Sequence, residues 1–171
     1  LETNGTCPNH NRAYDKLEEE NYFFRLSSYA KPVREAIEKG DLKIVPESRK
    51  SEIINVLKDG LDDISISRPK GKLEWGIAVP GDKNQVMYVW FEALMNYITA
   101  IGYPEHKDFK EFWPADLQVI GKDILRFHAA IWPAMLLGLG LELPRHLLVH
   151  GFVTSNGQKM SKSLGNVIDP V

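Results

Sequence analysis

The chain has 171 residues, 43% of them hydrophobic and 26% charged, with a formal net charge of −2. That length holds one ordinary core or two small ones, and the near-neutral balance excludes a nucleic-acid coat, so any RNA contact must be local. A single cysteine, Cys7, excludes an internal disulfide framework and points to a reducing compartment.

Residues 1–20 are polar and turn-rich, with "CPNHN" and the acidic run "LEEEN". Tyr22, Phe23 and Phe24 begin a packed segment. "RLSSYAKPVREAIEKGD" reads as a short helix interrupted at Pro32 and stopped at Gly40. "PESRKSEIINVLKDGL" reads as a clearer helix, with Ser48 as N-cap, Ile53, Ile54 and Leu57 as its apolar face, and Gly60 as its end. "DDISISR" alternates as a half-buried strand does, and "PKGKLEWGIAVPGDKNQ" is loop-rich with a turn at "PGDKN".

From residue 86 the texture changes. "VMYVWF" reads as a continuous apolar strand and "EALMNYITAI" as a helix ending at Gly102. After the connector "FKEFWPAD", "LQVIG" is a buried strand, "KDILRFHAAIWPAMLLGLG" a helix and "RHLLVHGFV" a third strand. Strand, helix, strand, helix, strand with short links predicts a parallel sheet with crossover helices. The apolar stretch "AAIWPAMLLGLGLEL" is too short for a bilayer and contains Pro133, so no membrane is expected as a partner. No signal peptide opens the chain, and both ends read as cuts through a longer protein.

Four constellations bear on chemistry. "GQKMSKSLGN" places Lys159 and Lys162 between glycines and serines. Lysine ammonium groups suit phosphate oxygens and glycines admit anions to backbone amides, but the same composition fits a solvated surface loop. The Walker spacing is absent. On the helix opening at Asp123, Ile124, Phe127, His128, Ile131 and Trp132 share one face. Ligands of parallel sheets bind beyond the carboxyl ends of strands, where a carboxylate such as Asp123 can meet a ribose hydroxyl. A plain core face with one satisfied histidine is the simpler account of that spacing. Trp90, Ala93, Leu94 and Tyr97 form a comparable stripe, suited to an apolar ligand with a thioether, although plain core packing is again the simpler account. Cys7 and His10 have zinc-type chemistry but no second pair of ligands, so they read as a turn and no metal site is expected.

"KMSKS" at 159–163, preceded by a strand ending "HGF", resembles the second signature of the class I aminoacyl-tRNA synthetases. "VIGKDILRFHAAIWPAMLLG", "LEEENYFFRLSSY" and "MYVWFEALMNYITAIGYP" narrow the resemblance to the methionyl-tRNA synthetases over essentially the whole chain. The resemblance implies an α/β fold, the second half of a Rossmann-type parallel-sheet nucleotide-binding domain with part of a connective-peptide insertion. Residues 1–85 would be the later part of that insertion, 86–152 the second Rossmann half, and 153–171 the start of the lysine-signature segment. The family's His-Ile-Gly-His signature is not in this sequence.

The resemblance also implies roles. Trp90, Ala93, Tyr97, Ile124, Phe127, His128 and Trp132 match the methionine pocket, with Tyr97 and His128 near the thioether. Gly121 and Asp123 match positions for the ribose and the amino-acid ammonium, and Val153 an adenine-contacting backbone position. Lys159 and Lys162 match the signature lysines on ATP. Arg68 resembles an arginine that handles the methionine carboxylate. Glu92 stands where an aspartate is common. The implied reaction is ATP-dependent activation of methionine and its transfer to tRNA(Met), with Mg2+ entering alongside ATP and no zinc held by this segment. A cytoplasmic location is expected, with an organellar one left open. A sister synthetase for leucine, isoleucine or valine, or a non-catalytic binding module built from a synthetase half, would share parts of the pattern.

Overall fold

The computed structural model describes residues 18–72 and 75–169, so Cys7 and His10 lie outside the described residues. In chain order the main elements are β1 (Phe23–Phe24), α1 (Ala30–Lys39), β2 (Lys43–Val45), α2 (Glu47–Asp59), β3 (Ile64–Ser65), β4 (Ser67–Pro69), β5 (Ala78–Val79), β6 (Asp82–Met87), α3 (Val89–Glu92), α4 (Asn96–Thr99), α5 (Lys107–Phe112), β7 (Gln118–Gly121), α6 (Trp132–Gly138), β8 (His146–His150), β9 (Thr154–Ser155) and β10 (Gln158–Lys159). The described residues form two compact units, one of residues 18–23 with 65–72 and 75–89 and one of residues 24–64 with 90–169. These units interleave along the chain, whereas the expected division at residue 85 follows chain order.

The larger unit is built on a parallel sheet of order β2-β8-β7. Ile44, Ile120, Leu147 and Val149 point from it into a core completed by Val33 and Ile37 of α1, Ile53 and Leu57 of α2, and Leu136 of α6. Alternation sends Val45, Val119 and Leu148 to the other face, where they are aligned by register and exposed. The expected α/β class with a parallel sheet holds, but the first of its three expected strands is not part of that sheet. "VMYVWF" lies in the smaller unit's antiparallel sheet β4-β6-β5 as far as Met87, and the chain turns helical at Val89. A continuous apolar run cannot by itself distinguish strand from buried helix, and the helical stripe from Trp90 was the stronger local signal. The strand in its place is β2, three residues long, too short to show alternation.

Two helix boundaries also differ. Pro32 lies in the first turn of α1 rather than interrupting it, because a first-turn residue needs no N–H for the helix ladder. Ser48 lies inside α2, whose N-cap is Pro46; no side chain caps that end. Gly40 (φ 90°) closes α1, its N–H donating to the carbonyls of Ala36 and Ile37.

The helix expected after β7 is not uniform. It opens as a 3-10 turn at Lys122–Ile124, widens to a π-helix at Phe127–Ile131, and becomes regular in α6. The Trp132 N–H reaches back five residues to the Phe127 carbonyl. Pro133 follows at once. A proline lacks the N–H for the ladder and crowds the carbonyl four residues back, and the wider turn relieves that crowding. Among the described residues no helix is long and apolar enough to cross a membrane.

Candidate functional site

The carboxyl ends of β7 and β8 position the residues singled out in the larger unit. Gly121 ends β7, paired with His150 at the end of β8. A Cβ on Gly121 would sit 2.7 Å from Asp123 Oδ1 and 3.8 Å from His150 Cε1. The Asp123 carboxylate therefore folds back over bare backbone, and any side chain at 121 would displace it. This gives a physical reason for the Gly-Lys-Asp order.

One turn on, the widened helix meets the segment from Trp90. Trp90 stacks on Phe127 with ring centroids 5.0 Å apart, and Tyr97 lies 5.8 Å from Trp132. Trp132 is fully buried and also meets Trp113 edge to face at 5.9 Å. Trp90 and Ala93 are exposed, while Ile124 and Phe127 are partly buried. The structure thus brings six of the seven residues expected for the amino-acid pocket into one neighbourhood by direct contact or by their helical turn, with Ala93 one turn before Tyr97.

Tyr97 and His128 form a defined pair. His128 Nδ1 lies 3.1 Å from the Ile124 carbonyl, and Nε2 lies 2.8 Å from the Tyr97 hydroxyl. A carbonyl only accepts, so Nδ1 carries the proton, Nε2 accepts, and the Tyr97 O–H donates to it. Burial raises the Tyr97 pKa. It lowers that of His128, against a weaker opposing effect of the bond to Ile124. Both groups are therefore neutral at pH 7, and their polar hydrogens are spent on protein acceptors. The face left for a ligand is aromatic surface with no free charge.

The sign of the pH effect follows. The folded-state pKa of His128 lies below its ordinary value of 6.5, so its contribution to stability is complete above that value and is lost as pH falls through the folded pKa. Acidification from about pH 7.5 to about pH 5.5 is expected to lower the melting temperature of the full-length protein more than that of its His128→Gln variant. Equal slopes in a thermal-melt series would overturn this account.

The lysine segment, expected as a loop, is a hairpin followed by a turn. β9 and β10 pair antiparallel, Gln158 with Ser155 and Lys159 with Thr154. Asn156 (φ 52°) and Gly157 (φ 77°) make the two-residue turn between them. Both central residues of such a turn need positive φ, and the Asn-Gly dipeptide was the legible signal for it. The Val153 carbonyl accepts from the Met160 N–H at 2.9 Å. Lys162 begins a short 3-10 turn closed by Gly165 (φ 64°).

Asn166 was not singled out from the sequence, yet it ties this segment together. Its Oδ1 accepts from the Ser161 N–H at 2.8 Å, and its Nδ2 donates to the Lys159 carbonyl at 3.1 Å. One amide thus fixes the backbone at and between the two lysines. The signal was an asparagine after a glycine that closes a turn, a place where side-chain-to-backbone bonds are common.

Arg68 belongs to the smaller unit. Its guanidinium donates to Ser65 Oγ and to the Ser67 carbonyl at 2.7 Å, and it lies 4.6 Å from the Tyr88 ring centroid. Glu92 Oε2 is buried with no hydrogen-bond partner among the described residues. Among those residues no three His, Cys, Asp or Glu side chains are grouped to hold a metal ion.

Known proteins resemble this arrangement closely. The family model of the class I (M) tRNA synthetases matches residues 3–171. The methionine–tRNA ligase of Clostridium perfringens is 51% identical over 171 residues, covering 98% of this chain and 26% of that protein. The methionine–tRNA ligase of Caldanaerobacter subterraneus subsp. tengcongensis is 50% identical over 168 residues, again covering 26% of its length. The crystal structure of Mycobacterium tuberculosis methionyl-tRNA synthetase bound by methionyl-adenylate superimposes with a TM-score of 0.83 at 45% identity, over 96% of this chain and 32% of that one. The chain spans about a quarter of the length of these curated relatives and about a third of the solved structure. With the β7 turn, the aromatic wall and the lysine hairpin matched along nearly its whole length, this chain belongs to the class I (M) tRNA synthetases.

Proposed function

We propose that the full-length protein containing this chain is a methionine–tRNA ligase. It would join methionine to ATP, giving methionyl-adenylate and pyrophosphate, and then pass the methionyl group to the terminal ribose of tRNA(Met). The observation that carries this reading is the closed Tyr97–His128 pair against Trp132. It offers a polarisable, uncharged wall to a thioether side chain. The relative whose structure holds methionyl-adenylate supports it.

The substrate's own carboxylate is the nucleophile, so the chain needs no catalytic triad. Its attack on the α-phosphorus forms the mixed anhydride and expels pyrophosphate. Catalysis then rests on alignment and on charge stabilisation as negative charge builds on the leaving phosphates. Trp90, Ala93, Tyr97, Ile124, Phe127, His128 and Trp132 would hold methionine. Gly121 and Asp123 would receive the ribose and the ammonium group, and Val153 the adenine edge. Lys159 and Lys162 would meet the triphosphate of ATP, which enters as its Mg2+ complex. Arg68 would act on the methionine carboxylate. Residues 1–85 are proposed as the later part of an inserted segment, 86–152 as nucleotide-binding sequence and 153–171 as the start of the lysine-signature segment. A cytoplasmic location fits the lone cysteine.

The test is selectivity. Apolar pockets separate ligands that differ by a methylene by roughly 1–3 kcal/mol. In the full-length protein, Tyr97→Phe or His128→Ala is expected to lower the methionine-over-leucine ratio of kcat/KM in ATP–pyrophosphate exchange about tenfold, a change within that range. Tyr97→Phe leaves Nε2 of His128 without its donor, and His128→Ala leaves the Tyr97 hydroxyl without its acceptor. An unchanged ratio in both variants would remove the pair from the specificity account.

A further inference from the structure

One cluster beside this site joins Lys159 to two residues, Lys122 and Phe152, that have no role assigned above. Phe152 follows β8, and two ammonium groups lie over its ring, Lys122 Nζ at 4.4 Å and Lys159 Nζ at 3.9 Å from the centroid. Lys122 comes from the turn after β7, and Lys159 from the end of β10. The two distances bound the separation of the ammonium groups at about 8 Å, which is about one screening length at physiological ionic strength, so each cation feels the other. An aromatic face attracts both and offsets their mutual repulsion. Two point charges from different elements are thereby gathered at one place next to Gly121 and Asp123.

A single carboxylate or monophosphate satisfies one such cation. A chain of linked phosphoryl groups carries charge at several points a few ångströms apart and can engage both. We propose that Lys122 is a third phosphate-binding lysine of the nucleotide site, beside Lys159 and Lys162, and that Phe152 is the positioning residue that gathers Lys122 and Lys159 for one polyphosphate chain. This rests on the reading of the site as an ATP site and adds to it a lysine on the sheet end, distinct from the hairpin lysines. The division of labour is physical. Lys122 sits on the turn that follows a core strand, whereas Lys159 sits on a two-stranded hairpin whose own hydrogen bonds are few. The first can hold the anion in place, and the second can adjust to it.

The experiment uses the full-length protein, with ATP–pyrophosphate exchange and calorimetric titration of inorganic tripolyphosphate as separate readouts. Lys122→Gln is expected to raise the KM for ATP about tenfold, to leave the KM for methionine within about twofold, and to weaken tripolyphosphate binding by a similar factor to the ATP effect. Lys122→Arg, which keeps the charge, is expected to recover most of the loss. Phe152→Leu is expected to raise the KM for ATP at least threefold, while Phe152→Tyr stays near the unsubstituted protein. The proposal is overturned if Lys122→Gln leaves both the KM for ATP and tripolyphosphate affinity within twofold, or if Lys122→Arg is as damaging as Lys122→Gln. It is also overturned if exchange is untouched and only tRNA charging slows, which would assign the lysine to the acceptor strand. Tripolyphosphate binding that depends on Lys122 would uphold the cluster even if methionine-dependent exchange were absent, an outcome that would instead defeat the ligase reading.

Discussion

Replacing Lys162 by alanine in the full-length protein is expected to slow methionine-dependent ATP–pyrophosphate exchange by roughly 10²–10³-fold, the usual cost of removing one donor aimed at transition-state charge. Lys162 opens a 3-10 turn and is exposed, so its removal leaves no cavity and strands no buried partner. The loss would therefore be kinetic rather than structural. Its ammonium is a point charge whose attraction to a phosphate oxygen is about 1 kcal/mol in bulk water and several-fold more where water is excluded. Negative charge on the departing pyrophosphate grows along the reaction coordinate. The interaction is thus stronger in the transition state than in the ground state, and kcat should fall further than ATP affinity. The KM for methionine should stay within about twofold. An exchange rate within threefold of the unsubstituted protein would sink this role.

The second large effect is on stability. Trp132→Ala is expected to cost about 3–5 kcal/mol, read from the urea midpoint of the transition that reports on this region by fluorescence. Trp132 is fully buried, lies 5.9 Å from Trp113 and 5.8 Å from Tyr97, and begins the regular helix directly after the π-helix. Its loss leaves a large void between rings that define the pocket wall, so methionine affinity should fall with stability. Trp132→Phe is expected to be less than half as costly. It keeps an aromatic ring and deletes an indole Nε1–H that has no hydrogen-bond partner among the described residues. A cost below about 1 kcal/mol for the alanine variant would mean that the site collapses around the gap, against the packing described.

Much of this was legible in the sequence where the signal was local. β7 and β8 were readable because each is a short apolar run bounded by turn residues. The stripe from Trp90 to Tyr97 and the stripe from Ile124 to Trp132 were readable because they repeat at helical spacing, although spacing alone could not establish a pocket. In the structure the two stripes span both core and exposed positions. Trp132 is core, Trp90 is nearly half exposed, and Tyr97 and His128 lie between them. Spacing alone favoured core packing for both stripes, and it was the resemblance to a family that pointed to a pocket.

The misses have physical causes. Lys43–Val45 is too short for a periodic signal, and its strand character comes from pairing with β8, a contact about a hundred residues away in sequence. The apolar run at 86–91 joined the end of a strand to the start of a helix, and hydrophobicity does not mark that join. The π-helix follows from Pro133 in context, and no composition rule reports it. The Asn166 bonds and the gathering of Lys122 and Lys159 on Phe152 are tertiary facts. They depend on a hairpin whose only written trace is Asn156-Gly157.

The one-sided burial of the parallel sheet sets how this 171-residue chain must be handled. Parallel strands are ordinarily covered on both faces. Here Val45, Leu148 and Val119 form a row across all three strands, with relative exposures of 47%, 37% and 57%. Such a stripe is adhesive in water. The 171-residue chain prepared alone would be drawn toward reversible clustering as its concentration rises, and light scattering would register that long before any assay did. The strands whose carboxyl ends carry the candidate site thus carry a colloidal liability on one face of this chain.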